Sequence, residues 1–333
     1  MRKEGLEPTH LSALEPKSSA STNSATFAVG ELYPKSAPPR VAANAGRDRY
    51  NLENSNASAR RLPVDHYENF PVASWLLPAR LRPPIEAIYG FARGADDIAD
   101  EGDLSDADRL QGLDRYVRAL DAIEAGATPP EPAFARLAQA VRDHDLPIAL
   151  LRDLIDAFTQ DVTKRRYATY AELLDYSRRS ANPVGRLVLH VMDAQRWCAP
   201  EWLAHSDAIC SALQFINFWQ DVEVDWRKDR VYIPQEDMAR FGVTEDHIAS
   251  GRADDRWQSL MRFQCARARE LLLSGLPLAR ALPGRLGLEI RATVHGGKRI
   301  ADKIDAAHGD VFRHRPVLGK GDWAAILAQA ALR

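Results

Sequence analysis

The sequence predicts an all-α fold in one large domain. From about residue 61 onward, apolar residues recur at helical spacing in long runs that are separated by short Pro, Gly or Asp breaks. We find no alternating apolar run long enough for a strand, and no internal repeat. A domain spanning 61–333 is large for a single bundle, and this size is acceptable if the helices surround a central cavity.

The predicted helices begin and end at residues that favour those positions. Pro83 and Pro84 suit the first turn of a helix that reaches Asp100, and Gly102 stops it. Asp106 suits the N-cap of the next helix, which continues to Leu120. The further predicted helices are 131–143, 147–165, 170–180, 184–197, 200–225, 253–274, 279–307 and 322–332.

Residues 1–60 differ in composition from the rest of the chain. They are rich in Ser, Ala, Asn and Pro and show no helical or strand periodicity, which predicts a disordered N-terminal segment. The first part of this segment lacks the apolar core of a signal peptide, and its scattered acidic residues are unlike an organelle transit peptide. No apolar run approaches the length of a membrane span. We therefore expect a cytoplasmic protein.

Composition argues against several other classes of protein. The 46 acidic and 44 basic residues give a net charge of -2, so nucleic acid is not an expected partner. The three widely spaced cysteines, Cys198, Cys210 and Cys265, indicate neither a disulfide framework nor a zinc site. Neither a P-loop nor a dinucleotide-binding glycine motif is present, so we expect no NAD(P)H site.

A stripe of polar residues runs along an otherwise apolar helix. Gln214, Asn217, Asp221 and Asp225 follow one another at spacings of three, four and four, so they share one face. Apolar residues occupy most of the remaining circumference, which predicts a buried helix. Buried carboxylates are costly unless a partner satisfies them. That partner is either a bound ligand or a core network in which the two amides bond to Asp221.

A second acidic cluster ends the helix that begins near Pro83. It consists of Asp96, Asp97, Asp100 and Glu101. These carboxylates repel one another at a helix C-terminus, and Arg93 can relieve only part of this repulsion. Taken alone, such a cluster is compatible with a solvated helix end. If it faces the Asp221 stripe, however, the two predict a Mg²⁺ site completed by substrate phosphates.

A basic segment follows the second stripe and could serve a diphosphate. Arg227, Lys228 and Arg230 supply positive charge and Tyr232 supplies a hydroxyl. Alone, such a loop is often only a charged surface.

These motifs resemble those of the squalene/phytoene synthase family. The first is Asp96-x-x-x-Asp100 preceded by Tyr89-Gly-Phe-Ala-Arg93, and the second runs from Gln214 to Asp225 and is followed by Arg230-Val-Tyr-Ile-Pro234. The segment from Tyr176 to Gly185 resembles the region between them, and the resemblance covers about 61–320. It implies an isoprenoid-synthase bundle around a cavity, with Mg²⁺ as cofactor and a prenyl diphosphate as substrate.

The resemblance also implies roles for individual residues. Asp96, Asp100, Asp221 and Asp225, with Asn217, would hold Mg²⁺, and Gln214 would help to orient the carboxylates or the diphosphate. Phe70, Phe215 and Phe218 could contact a carbocation or could simply be core residues. The expected substrate contacts are Arg93, Asn69, Phe70, Tyr176, Gln220, Lys228, Arg230 and Tyr232.

Three segments are most similar to the hopanoid branch of the family, namely His66–Pro78, Gly296-Gly297 and Asp310–Pro316. Members of this branch ionise presqualene diphosphate and capture water to give hydroxysqualene. Gln220 replaces a basic residue of the condensing members, and Glu68-Asn69 replaces their Lys-Ser pair. The alternatives are head-to-head condensation of two prenyl diphosphates and a non-catalytic lipid-binding role. An apolar substrate implies transient association with the inner membrane.

Overall fold

The computed structural model describes residues 77–332, so the predicted segment 1–60 and the predicted contacts Asn69 and Phe70 lie outside the described residues. Within this range the chain forms helices, a 3₁₀ turn at Ala79–Leu81 and one isolated parallel bridge between Arg166 and Val231. The helices are α1 Arg82–Asp100, α2 Asp106–Glu124, α3 Pro132–His144, α4 Ile148–Thr163, α5 Tyr170–Ser180, α6 Asn182–Trp197, α7 Pro200–Gln220, α8 Val222–Arg227, α9 Gln235–Phe241, α10 Glu245–Ala249, α11 Asp255–Ser274, α12 Leu276–Ala281, α13 Gly284–Ala306 and α14 Lys320–Ala331. The all-α prediction is confirmed.

Two predicted helices are each divided in the structure. The helix predicted over 200–225 changes direction at Asp221, which separates α7 from α8. The helix predicted over 279–307 is interrupted at Leu282 and Pro283, because proline disfavours the helical conformation of the residue before it. The short helices α9 and α10 were not predicted, since each has too few turns to show a periodic pattern.

The bundle contains two large apolar clusters, each built around one central helix. In one, α1 packs against α2, α3 and α4; in the other, α7 packs against α11 and α13. Helix α6 contributes to both, with Leu187 in the α1 cluster and Leu189 in the α7 cluster. The two helices that carry the acidic motifs are therefore the central helices of the two halves. Among the helices of residues 77–332, none has the length and apolarity needed to cross a bilayer.

A glycine allows α6 and α7 to approach closely. A Cβ atom at Gly185 would lie 2.4 Å from Ser206 Oγ and 2.6 Å from Cys210 Sγ, both on α7. Such distances are too short for a carbon atom, so a side chain at this position would push the two helices apart.

We expect Gly185→Ala to lower the free energy of unfolding by about 1–3 kcal/mol, because a methyl group there overpacks the α6–α7 contact. Urea denaturation would measure the change. Gly90→Ala is the matched control, since a Cβ at Gly90 meets nothing within 4 Å. In the middle of a helix this control should be stabilising by about 0.5–1 kcal/mol. Equal effects of the two substitutions would contradict the close contact.

Candidate active site

The acidic end of α1 is divided into an inner and an outer pair of carboxylates. The side chains of Asp96 and Asp100 are each 3% exposed, whereas those of Asp97 and Glu101 are 39% and 33% exposed. Arg93 Nη2 lies 2.7 Å from Asp97 Oδ1 and 3.1 Å from Glu101 Oε1, and Nη1 lies 3.7 Å from Asp96 Oδ2. A solvated helix end is therefore the wrong description of the inner pair.

Asp96 lies in an environment that disfavours its charge. Burial raises the pKa of its carboxyl well above the usual value, and the nearby negative charges of Asp100, Asp161 and Asp97 raise it further. Arg93 acts in the opposite direction. An additional cation beside Asp96 would be strongly favoured.

The basic segment after α8 reaches the inner pair. Arg230, itself buried, places Nη1 2.5 Å from Asp100 Oδ1, and Lys228 Nζ lies 3.7 Å from Asp100 Oδ2. Arg230 Nη2 also donates to the backbone carbonyl of Asp161, at 3.1 Å. This segment therefore connects the C-terminal end of α1 to α4, and it is more than a charged surface.

The polar stripe of α7 continues across the change in direction at Asp221. The Asp221 N–H donates to the Asn217 carbonyl and the Asp225 N–H donates to the Asp221 carbonyl, each at 2.9 Å, so helical spacing is kept. Asp221 and Asp225 are both buried, and Asn217 is partly buried. The buried Gln214 amide donates to Ser180 Oγ on α5, at 2.8 Å.

The partner of Asp221 is an arginine that sequence reasoning did not assign to the site. Arg315 Nε and Nη2 contact the two carboxylate oxygens of Asp221, with Nη2 3.1 Å from Oδ2. The neighbouring Gln220 amide donates to the Pro316 carbonyl. The amide network that was the alternative for Asp221 is therefore wrong. Arg315 is 94 residues away in the sequence, so no spacing pattern could have indicated it.

A second unpredicted site residue, Asp161, lies on α4. Its carboxylate is buried, and Oδ2 accepts a hydrogen bond from Tyr176 Oη at 2.6 Å. Burial raises the pKa of Asp161 to about 7. Its Oδ1 accepts no hydrogen bond from the described part of the chain. Asp161 interrupts the apolar face formed by Leu154 and Phe158, and this irregularity could have identified it.

An aromatic cluster packs beside Asp161. The Tyr232 ring stacks on Phe218 at 3.8 Å between centroids, with Tyr176 and Tyr167 at 6.1 and 5.7 Å from Tyr232. Burial raises the pKa of the Tyr176 hydroxyl and of the Tyr232 hydroxyl, so both stay protonated at neutral pH. Phe215 is also buried and packs against Trp219. These rings form part of the packed core.

An apolar pocket lies further down the same two helices. It contains about 670 Å³ of empty space, part of it open to solvent. Ile85 on α1 lines it eleven residues before Asp96, and Cys210 on α7 lines it eleven residues before Asp221. Eleven residues are about three helical turns, so each pocket residue lies on the same helix face as its aspartate. The two are separated by roughly 16 Å along the helix axis. Most other lining residues are aliphatic and come from α6, α12 and α13.

The predicted metal ligands form two pairs, one on α1 and one at the α7–α8 junction. Within residues 77–332 no three or more His, Cys, Asp or Glu side chains are grouped closely enough to hold a metal ion. Mg²⁺ is usually held by one or two carboxylates, with phosphate oxygens and water completing its octahedron. Both Asp100 oxygens are buried, and the charged groups of Arg230 and Lys228 lie beside them. These oxygen donors fit Mg²⁺ bound together with a phosphate group.

Comparison with known proteins gives consistent similarities. The family model described as squalene/phytoene synthase matches residues 64–322. A hydroxysqualene synthase of Rhodopseudomonas palustris is 37% identical over 225 residues, which are 67% of this chain and 74% of that protein. A phytoene synthase of Arthrospira platensis is 30% identical over 266 residues, covering 77% and 85%. The crystal structure of squalene synthase HpnC from Alicyclobacillus acidocaldarius aligns with a TM-score of 0.66 and 36% identity, over 73% of this chain and 90% of that one.

We expect wild-type protein to lose stability relative to Asp161→Asn as the pH rises. Burial raises the native pKa of Asp161 from 3.8 to about 7, so between these values the native state binds more protons than the unfolded state. The stability from this proton is present below about pH 4 and is lost as the pH rises through about 7. Between pH 5 and 8, the advantage of the variant should grow by about 2–3 kcal/mol.

Urea denaturation in the presence of EDTA would measure this difference. The matched control is Asp156→Asn, because Asp156 lies on the same helix with a side chain that is 67% exposed. Its stability difference from wild type should not vary over this pH range. A pH-independent difference for Asp161→Asn would contradict the assigned environment.

Proposed function

The chain belongs to the squalene/phytoene synthase family, and from this membership and the paired aspartates we propose that it is a Mg²⁺-dependent enzyme acting on presqualene diphosphate. Ionisation breaks the carbon–oxygen bond and releases diphosphate, and water then adds to the rearranged cation and loses a proton, giving hydroxysqualene. One observation carries this proposal: buried aspartate pairs end the same two helices whose faces line an apolar pocket about 16 Å away. Such an arrangement suits a substrate with a charged head and a long hydrocarbon chain.

The charged end of the site would hold the diphosphate. Asp96 and Asp100 on one side, and Asp221 and Asp225 with Asn217 on the other, would hold Mg²⁺, which when bound neutralises the diphosphate as it leaves. Arg93, Lys228 and Arg230 already contact the α1 carboxylates, so their positive charges lie where the leaving group needs them. Gln214 would support Asn217 and the carboxylates from the same helix face.

The aromatic cluster would border the reacting carbons. Tyr232 stacks on Phe218, and Tyr176 donates a hydrogen bond to Asp161. These two tyrosines connect the carboxylates with the aromatic part of the core. Their rings are held in place by packing, so they can present fixed π-faces to a carbocation. The buried tyrosine hydroxyls stay neutral, so they bring no competing negative charge.

Gln220 supports processing of a single diphosphate. Its amide is buried and bonded to the Pro316 carbonyl, and it brings no positive charge to the neighbourhood of Asp221. The Glu68-Asn69 pair, which replaces the Lys-Ser pair of the condensing members, likewise favours a single diphosphate, but Asn69 lies outside the described residues. The hydroxysqualene synthases among the relatives support the same choice. Because substrate and product are apolar, we also propose that the enzyme is cytoplasmic and associates transiently with the inner membrane.

Head-to-head condensation of two prenyl diphosphates is the second candidate. It is favoured by the similarity to phytoene synthases and by the alignment with a squalene synthase structure. Mass spectrometry of the products from farnesyl diphosphate and from presqualene diphosphate, with and without NADPH, would distinguish the two. Hydroxysqualene from presqualene diphosphate alone supports our proposal, whereas efficient conversion of farnesyl diphosphate favours condensation.

We expect Asp96→Asn and Asp221→Asn each to slow diphosphate release from presqualene diphosphate on the order of 100-fold, because each removes a carboxylate from the metal site. A coupled pyrophosphate assay at saturating Mg²⁺ would measure the rate. Glu86→Gln is the control, since it neutralises an exposed carboxylate on the same helix as Asp96. Unchanged turnover in both aspartate variants would disprove the metal assignment.

We expect Val188→Phe to raise the KM for presqualene diphosphate about tenfold, because the larger side chain fills part of the apolar pocket that Val188 lines. Binding of inorganic pyrophosphate with Mg²⁺ should not change, since that ligand has no hydrocarbon chain. Steady-state kinetics and calorimetry would test the two statements. If presqualene diphosphate and inorganic pyrophosphate both bound more weakly, the substitution would be disturbing the whole domain.

A further inference from the structure

The loop that carries Arg315, residues 307–319, is fixed at both ends. At its start, Trp257 Nε1 donates to the Gly309 carbonyl at 2.8 Å, and Gly309 has a positive φ of 72°. A Cβ at Gly309 would lie 2.9 Å from Met261, so this position favours glycine on two grounds. Near its end, Lys303 Nζ donates to the Val317 carbonyl at 2.6 Å. Val311 is buried and the Phe312 ring packs on Trp257, with centroids 4.8 Å apart, so the middle part that can adjust its position is residues 313–316.

Contacts with the α7–α8 junction hold that middle part. Arg315 pairs with both oxygens of Asp221, and Gln220 donates to the carbonyl of Pro316, the next residue of the loop. Gln220 is 1% exposed and Asp221 6%, whereas the Arg315 side chain is 31% exposed. Arg315 is therefore the one member of this trio with space toward solvent.

The pairing of Arg315 with Asp221 occupies the oxygens that a metal ion would require. A guanidinium bound to both oxygens of a carboxylate uses the lone pairs that face it, so a cation that needs both oxygens from that side can bind only after the guanidinium moves. A displaced guanidinium that stays nearby is well suited to phosphate oxygens, which it can bind in the same two-pronged manner.

We propose that Gln220 is a positioning residue that holds Arg315 at Asp221, and that Arg315 moves from this carboxylate to the diphosphate when metal enters. The neutral Gln220 amide anchors the loop through the backbone of Pro316, so it restrains Arg315 without competing for the Asp221 charge. A positively charged residue at 220 would itself pair with Asp221. This inference rests on the proposed function, because it assumes that Asp221 is a metal ligand.

Binding measurements on the whole protein test the exchange, that is, the movement of Arg315 from Asp221 to the diphosphate when metal binds. They do not depend on turnover. Isothermal titration with Mg²⁺ alone, and Mn²⁺ electron paramagnetic resonance, report the metal affinity in the absence of phosphate. Arg315→Gln should bind metal about fivefold more tightly, because the competing cation is gone. With Mg²⁺ present, it should bind inorganic pyrophosphate about tenfold more weakly, because a phosphate contact is gone. These opposite changes would not follow from general loss of structure.

The same loop offers a matched control. Arg313 lies two residues earlier, its side chain is 79% exposed, and it pairs with Asp310 at 3.2 Å. Arg313→Gln makes the same change in charge and should alter neither affinity. Arg315→Lys, which keeps the charge but loses the two-pronged geometry, should lie between wild type and Arg315→Gln, and it serves if the glutamine variant does not fold.

The role of Gln220 is tested separately. Gln220→Met keeps the shape but removes the donor to Pro316, so Arg315 is held less firmly at Asp221; metal affinity should rise by about twofold to threefold, while pyrophosphate affinity should not fall, because the guanidinium is still present. Gln258→Met is the control, because Gln258 donates to a backbone carbonyl elsewhere, that of Ala253 at 3.2 Å. The double variant Gln220→Arg, Arg315→Gln should restore much of the pyrophosphate affinity, since it returns a guanidinium to the neighbourhood of Asp221.

Different outcomes separate this inference from the proposed function. If wild type binds both Mg²⁺ and pyrophosphate but Arg315→Gln leaves the metal affinity unchanged or weaker, the exchange is disproved and the metal site stands. If Gln220→Met behaves as wild type, Gln220 has no positioning role. If wild type binds neither ligand, the proposed function fails and this inference fails with it.

Discussion

The structure depends on neutralising buried carboxylates with cations from distant parts of the chain. Asp100 on α1 is paired with Arg230 after α8, and Asp221 is paired with Arg315 after α13. Leaving one such buried charge without its partner costs about 3–5 kcal/mol, so these pairs can be rearranged only if another cation replaces the arginine. The two halves of the bundle are joined at this point, because α1 lies in one apolar cluster and Arg230 follows the central helix of the other.

Much of the fold could be predicted because it follows from local patterns. Apart from the two that are divided, the long helices match their predicted ranges within a few residues, since each has an apolar face that repeats over several turns. The same periodicity correctly placed Asp225 on the buried face of its helix, and the four-residue spacing from Arg93 to Asp97 correctly indicated an ion pair. Properties determined by neighbours along one helix could therefore be read from the sequence.

Properties determined by distant contacts could not be predicted in this way. Arg315 lies in a loop without periodicity, and hydrogen bonds from distant residues to the carbonyls of Gly309, Pro316 and Val317 bring it to Asp221. Asp161 interrupts an apolar helical face, yet its proximity to the α1 carboxylates depends on how α4 packs against α1. The sequence thus predicted most of the acidic residues of the candidate site, with Asp161 missed, and part of its basic residues.

The positions of the aspartates explain why cations gather there at all. Asp100 is the last residue of α1, so that helix C-terminus adds roughly half a negative charge to the carboxylates there, whereas Asp221 lies between the C-terminus of α7 and the N-terminus of α8, whose partial charges oppose each other. Lys228 and Arg230 lie at the α1 terminus, and Arg315 lies at the α7–α8 junction. At the end of α1 the backbone and the carboxylates together attract any cation, whether an arginine or a metal ion, and at Asp221 the carboxylate itself does so. Preference for metal over arginine must then come from the phosphate oxygens, which complete the coordination of the metal and also give the displaced guanidinium a new partner.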